Sequence, residues 1–136
     1  MQVIVDANVL ISILIKPGKP VDLLLIEELD FASPELLFEE IENNKELIIQ
    51  KSGLSKEEIG RFIEVFRRKI TVVPEEEFLE YREKAEAICP DEKDITYFAL
   101  ALRMGCPIWS NEKKLKEQDQ VKVWATHELM RLFNIN

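Results

Sequence analysis

Short apolar runs alternate with amphipathic stretches along the chain, and this alternation sets the first structural expectations. Val3–Val5 is a β-branched run that predicts a buried strand. Apolar positions resume at Val9, so a short helix over Val9–Leu14 follows, closed by Lys16-Pro17-Gly18-Lys19-Pro20. Pro20 suits the first turn of a second helix running to about Leu29, with Val21, Leu24 and Leu25 along one side. Asp30-Phe31-Ala32 is a short strand candidate, and Ser33-Pro34 reads as an N-cap with proline at the first position of a helix over 34–50. Ser55-Lys56-Glu57-Glu58 is a capping box for a helix over 55–69, with Ile59, Phe62, Ile63 and Phe66 as its apolar face. Gly53 joins these two helices into a hairpin.

Ile70–Val73 predicts a strand stopped by Pro74, and Glu75-Glu76-Glu77 opens a helix that ends near Cys89-Pro90. Asp91–Met104 is a further helix, closed by Gly105, with Ile95, Phe98, Ala99 and Leu102 as its buried stripe. Cys106–Trp109 and Val121–Trp124 are the last strands, and Thr126 can cap a final helix through Phe133. Strands and helices in alternation predict one α/β domain over 1–136, a sandwich with a mainly parallel sheet and right-handed crossovers.

Polar residues in apolar company change the picture. Asp6 stands directly after the first strand, between two apolar runs, where a carboxylate is costly unless something satisfies it. In a parallel α/β sheet that place is the ligand-binding edge, and a metal ion would satisfy the charge. On a helical wheel with Leu37 at zero and about 100° per residue, Ile41 falls at about 40°, Ile48 at about 20° and Glu40 at about 300°. Glu40 therefore lies on the buried flank, whereas Glu39 and Glu42 point away. Asp94 begins the apolar side of its helix one turn before Phe98, and Glu112 follows the strand ending at Trp109. Asp91 suits an N-cap, and Asp91-Glu92-Lys93-Asp94 also fits a capping box, which leaves Asp94 either structural or part of a site. Glu40 could instead pair with a basic residue, and Glu112 could be a solvated loop acid beside Lys113, Lys114 and Lys116. Asn8 and Ser110 either orient a carboxylate or a water, or cap backbone groups.

Carboxylates brought together repel unless cations neutralise them. Hard divalent ions such as Mg²⁺ or Mn²⁺ take oxygen ligands and can drive phosphodiester hydrolysis. No candidate Ser–His–Asp or Cys–His set competes, because the chain has a single histidine, His127, in a first-turn surface position. Cys89 and Cys106 each precede a proline and form no CxxC pair, so buried free thiols are expected rather than a zinc site. Trp109 and Trp124 read as core or partly exposed aromatics, not a base-stacking platform. The net charge of −8, from 26 acids against 18 lysines and arginines, argues against a simple electrostatic nucleic-acid binder. It leaves room for an enzyme whose acids hold cations. The apolar start lacks a basic segment and carries Asp6 and Asn8, so neither a signal peptide nor a membrane span is expected, and the cytoplasm is the expected location.

In order along the chain, these residues resemble the PIN domain family of ribonucleases. Asp6-Ala7-Asn8-Val9-Leu10 after a Val/Ile strand is similar to the family's opening motif. Ser33-Pro34-Glu35-Leu36-Leu37 leading to Glu40-Ile41 is similar to the helix bearing its second acid. Asp91–Asp94 running into Tyr97–Leu102, then Gly105 and Ile108-Trp109-Ser110-Asn111-Glu112, resembles its C-terminal half. The resemblance implies a three-layer α/β/α sandwich, Mg²⁺ or Mn²⁺ on Asp6, Glu40, Asp94 and Glu112, and cleavage of single-stranded RNA to a 5′-phosphate product. It implies also that many members are dimeric toxins held by an antitoxin protein, with no membrane partner. Glu112 departs from the usual aspartate, and basic residues group only at Arg61, Arg67–Lys69 and Lys113–Lys116. A PIN-like module that binds RNA or a protein without cutting is the alternative. A receiver-like phosphoacceptor domain would want paired acids after the first strand and a lysine after the last, where Trp124-Ala125-Thr126 stands instead.

Overall fold

The computed structural model describes residues 1–136 and centres on a five-stranded sheet. The strands are β1 (Gln2–Val5), β2 (Asp30–Pro34), β3 (Ile70–Val73), β4 (Ile108–Trp109) and β5 (Val123–Trp124). Their order is β3-β2-β1-β4-β5 and every pairing is parallel. β1 is central, which is why Val3, Ile4 and Val5 are each fully buried. Burying each such side chain contributes roughly 1.5–3 kcal/mol.

Helices cover both faces in an α/β/α sandwich. They are α1 (Ala7–Ile15), α2 (Leu36–Asn43), α3 (Lys45–Ser52), α4 (Lys56–Lys69), α5 (Arg82–Ile88), α6 (Ile95–Met104) and α7 (Thr126–Leu132). α1 packs on α2 and α3, whereas α6 packs on α5 and across β1, β2 and β4. The Ser55–Glu58 capping box closes in both directions at the start of α4. Gly53 and Gly105 end α3 and α6 with φ of 73° and 62°, a left-handed conformation that glycine adopts without steric cost. No helix is long and apolar enough to cross a membrane.

Several expected elements differ. The segment after Pro20 forms a 3₁₀ helix, Lys19–Leu25, which already turns Leu23 and Leu24 inward and ends as Ile26 becomes extended. The helix expected over 34–50 is two, α2 and α3, broken at Asn44, whose backbone leaves helical geometry and whose side-chain amide donates to the Glu40 carbonyl. Ser33 and Pro34 are not its cap and first turn. They extend β2, where Ser33 pairs Val72 and Pro34 pairs Val73, and Glu35 precedes α2 without a side-chain cap. The stretch from Glu75 is two 3₁₀ turns, Glu75–Glu77 and Leu79–Tyr81, before α5. Residues Glu92–Asp94 likewise form a 3₁₀ turn, capped by the Asp91 carboxylate on the Lys93 N–H, ahead of α6. β4 and β5 are two residues each, shorter than expected: before β4, Cys106 still bonds back to the Ala101 carbonyl of α6 and Pro107 has no N–H to offer, and before β5 the Val121 N–H is spent on the Gln118 side-chain oxygen at 2.8 Å. Thr126 does not cap α7. Glu128 reaches back to the Ala125 N–H instead, and the Thr126 hydroxyl accepts the Trp109 indole N–H at 2.9 Å.

Candidate active site

Strand order reverses between β1 and β4, and this crevice at the carboxyl ends of the strands is where open α/β sheets bind ligands. Val5 pairs Trp109 in register, so the next residues, Asp6 and Ser110, face each other across the switch point. The Asp6 N–H donates to the Trp109 carbonyl at 3.1 Å, and the Ser110 N–H to the Trp124 carbonyl at 3.0 Å. Asp6 is only 2% exposed. Its Oδ2 accepts the Ser110 hydroxyl at 2.7 Å and its Oδ1 accepts the Asn8 N–H at 3.2 Å, so Asp6 also caps α1. The asparagine's contribution seen here is its backbone, and its side chain is exposed.

Ser110 is 1% exposed and serves two neighbours. While donating to Asp6, its Oγ accepts the Glu112 N–H at 3.1 Å. Glu112 is exposed, and its Oε1 accepts the Lys114 N–H at 3.4 Å at the start of a 3₁₀ turn, Lys113–Lys116. Glu40 projects half-buried from α2, and its Oε1 accepts the Tyr97 hydroxyl at 3.1 Å. Asp94, 6% exposed at the junction into α6, has no side-chain hydrogen bond and no ion pair.

Electrostatics tie these acids together. Burial raises the Asp6 pKa, and the Glu112 charge raises it further, against the Ser110 and Asn8 hydrogen bonds. Burial likewise raises Glu40, with Asp6 adding and the Tyr97 bond opposing. Burial, then the charges of Asp6, Asp91 and Glu40, push Asp94 up to about 7. Lys93 is a cation that opposes the rise at all three. Its ammonium lies 3.7 Å from Asp91, and none of Asp6, Glu40, Asp94 or Glu112 has a basic partner within 4.0 Å.

No three histidine, cysteine, aspartate or glutamate side chains gather into a ready metal cage. Mg²⁺, however, is usually held by one or two carboxylates and keeps several waters. Asp6 and the unpartnered, buried Asp94 offer hard oxygen donors of that kind, with Glu40 and Glu112 at the rim, so the residues fit such an ion.

Three residues beyond the expected set shape the site. Tyr97 is 1% exposed and fixes Glu40; its place three positions after Asp94, on the same helix side, was the available signal. Ser33, fully buried, donates to the Val5 carbonyl at 3.0 Å and ties β2 to the strand end bearing Asp6. Its serine-proline pairing pointed to a cap instead. Lys93, hidden in an acidic run, supplies the nearby positive charge.

A family model for the PIN domain matches residues 4–133. No curated protein matches the sequence. Among solved structures, a chain in the crystal structure of VapBC2 from Rickettsia felis bound to a DNA fragment from their promoter is similar, with a TM-score of 0.65 and 15% identity. The match covers 92% of this chain and 98% of that one, and at such identity it is a likeness of fold.

Proposed function

The chain belongs to the PIN domain family, and from that premise we propose that it is a metal-dependent endoribonuclease acting on single-stranded RNA. PIN domains are generally nucleases, and the observation that carries the reading here is Asp94. Asp94 is 6% exposed, and its carboxylate oxygens still reach solvent while holding no hydrogen bond and no ion pair, so beside buried Asp6 they stand as free oxygen donors opening into the site.

In this reading Asp6, Glu40, Asp94 and Glu112 would hold a hydrated Mg²⁺ or Mn²⁺ among them, with the two aspartates as the first donors. The bound ion would supply an acidified water and charge stabilisation for the phosphoryl group. The chain's own residues do the rest. Ser110 orients Asp6, and the Asn8 N–H fixes its second oxygen. Tyr97 holds Glu40 by Oε1, which leaves Oε2 free to accept a proton from the attacking water; a carboxylate with a raised pKa suits that role. Water adds to phosphorus as Glu40 takes its proton, the bond to the 3′-oxygen breaks, and that oxygen takes a proton from solvent water, leaving a 5′-phosphate and a 3′-hydroxyl. The test is Asp6→Asn, which preserves the cap on α1 and removes the charge. Mn²⁺-dependent cleavage of single-stranded RNA is expected to fall at least a hundredfold with the circular dichroism spectrum unchanged. Undiminished cleavage would sink the assignment.

The reading extends to a homodimer restrained by an antitoxin protein. Its support is the fold shared with a chain of the VapBC2 complex. The cytoplasm is the compartment in which such an enzyme meets RNA, and the two free thiols, Cys89 and Cys106, suit a reducing environment.

One observation favours a non-cutting module that binds RNA or a protein: Glu112 is exposed and already engaged as a cap. Calorimetry separates the two readings. Saturable Mn²⁺ binding lost in Asp94→Asn supports the nuclease, and no Mn²⁺ binding with or without RNA supports the module.

A further inference from the structure

Beyond Ser110 the site continues into a cleft of about 460 Å³, lined by Ser110, Asn111, Glu112, Lys113, Lys116 and His127 with Ala125. That volume lies within the ~300–1,000 Å³ of small-molecule sites. Its chemistry differs from that of the carboxylate crevice beside it. The Asn111 Oδ1 accepts the Thr126 N–H at 2.7 Å, which fixes the amide and leaves its N–H₂ as the free end. Lys113 has no acidic partner within 4.0 Å, whereas Lys116 is already paired with Glu128. His127, exposed on the first turn of α7, faces the same space. Three uncommitted donor groups thus line a cleft that shares Ser110 and Glu112 with the acidic site. In a chain of net charge −8, such a grouping beside the acids is chemically distinct.

Resting on the nuclease reading, we propose that this cleft is a phosphate subsite. It grips the backbone phosphate next to the scissile one, with Lys113, His127 and the Asn111 amide as the contacts. The acids alone would repel an RNA strand. A donor cleft on one side supplies the attraction and fixes which phosphate lies over Asp6 and Asp94. Phosphate contacts of this kind set register and carry no base preference.

The test uses the full chain in an Asp6→Asn background, expected to bind RNA without cutting it. A fluorescein-labelled single-stranded RNA is titrated with Mn²⁺ present over a range of KCl concentrations. Lys113→Ala and His127→Ala are each expected to weaken binding about three- to tenfold at low salt. Lys113→Ala should also reduce the slope of log K against log[salt] by about 0.7, the value for one lost phosphate contact on a single strand. The control is Lys84→Ala, an exposed lysine on α5, expected to change binding less than twofold. Equal affinities and slopes for Lys113→Ala and the control would overturn the subsite. Mn²⁺-dependent cleavage by the wild type, measured on the same RNA, decides the nuclease reading separately. Cleavage with an unchanged Lys113→Ala slope removes the subsite alone, and neither binding nor cleavage removes both.

Discussion

The Ser110 hydroxyl donates to Asp6 Oδ2 at 2.7 Å across 104 positions of sequence, and the same oxygen accepts the Glu112 N–H. One small side chain thereby couples the end of β1 to the loop after β4. Ser110→Ala should remove a buried hydrogen bond to a carboxylate, costing about 1.5–3 kcal/mol. It should also raise the Asp6 pKa further, because the Ser110 bond is the largest influence lowering it. Urea denaturation is expected to show the loss of stability. The acid limb of the Mn²⁺-dependent rate profile should move to higher pH, and Ser110→Thr should restore it. A variant with unaltered stability and pH profile would make Ser110 a bystander.

Asp94 links pH to stability in the metal-free protein. Its folded pKa is about 7 against an ordinary 3.8, so between those values the folded state binds more protons than the unfolded state. This stabilising contribution is complete below about pH 3.8 and is lost as pH rises through about 7. In EDTA, the wild type should lose about 1–2 kcal/mol between pH 5 and pH 8 relative to Asp94→Asn, the full effect of the shift being reduced by solvent screening at oxygens that reach water. At roughly 4 °C per kcal/mol, the melting temperatures should diverge measurably across that range. Adding Mn²⁺ at pH 8 should raise the melting temperature of the wild type and leave that of Asp94→Asn unmoved. Parallel pH dependence of the two proteins would contradict a raised Asp94 pKa in the folded state.

Tyr97 is the residue that makes Glu40 single-positioned. Tyr97→Phe should cost about 1 kcal/mol and leave the fold intact. Because the Tyr97 bond lowers the Glu40 pKa, its loss should raise that pKa, reduce kcat several-fold and move the acid limb of the rate profile upward. A change in KM alone, with kcat and the profile unchanged, would argue against this positioning role.

Much of this site was legible because carboxylates in apolar company follow periodicity. The helical wheel placed Glu40 on an inward flank, and the structure gives it Tyr97. Asp6 at a strand end was legible in the same way. The sheet order was not, because nothing in a strand's own pattern says that β1 is central and flanked by β2 and β4. The 3₁₀ segments at Lys19–Leu25 and Glu92–Asp94 are not legible in the sequence because three- and four-residue spacings coincide over so short a span. Ser33 misled for a definite reason. Serine before proline suits a helix start, but pairing with β3 holds Ser33 and Pro34 extended, and the hydroxyl is spent on the Val5 carbonyl. Local chemistry named the cap, and tertiary pairing overrode it.

Glu112 gives the sharpest division between a cap and a ligand. Its backbone N–H is held by Ser110, while its side chain reaches the Lys114 N–H at a long 3.4 Å. Aspartate is a good cap at such a position, so Glu112→Asp should keep stability within about 0.5 kcal/mol. Glu112→Gln keeps the length and the acceptor oxygen but removes the charge that raises the Asp6 pKa. Stability of the glutamine variant should therefore be unchanged, since the cap needs only an oxygen. If Glu112 also serves the metal, Glu112→Gln should weaken Mn²⁺ binding and lower cleavage about tenfold or more, whereas Glu112→Asp should retain at least about a tenth of the rate, one decade being ~1.4 kcal/mol. Calorimetry and single-turnover cleavage on the same preparations measure both. Wild-type Mn²⁺ affinity and cleavage in the glutamine variant would make Glu112 a helix cap alone, and leave Asp6, Glu40 and Asp94 as the whole acidic site.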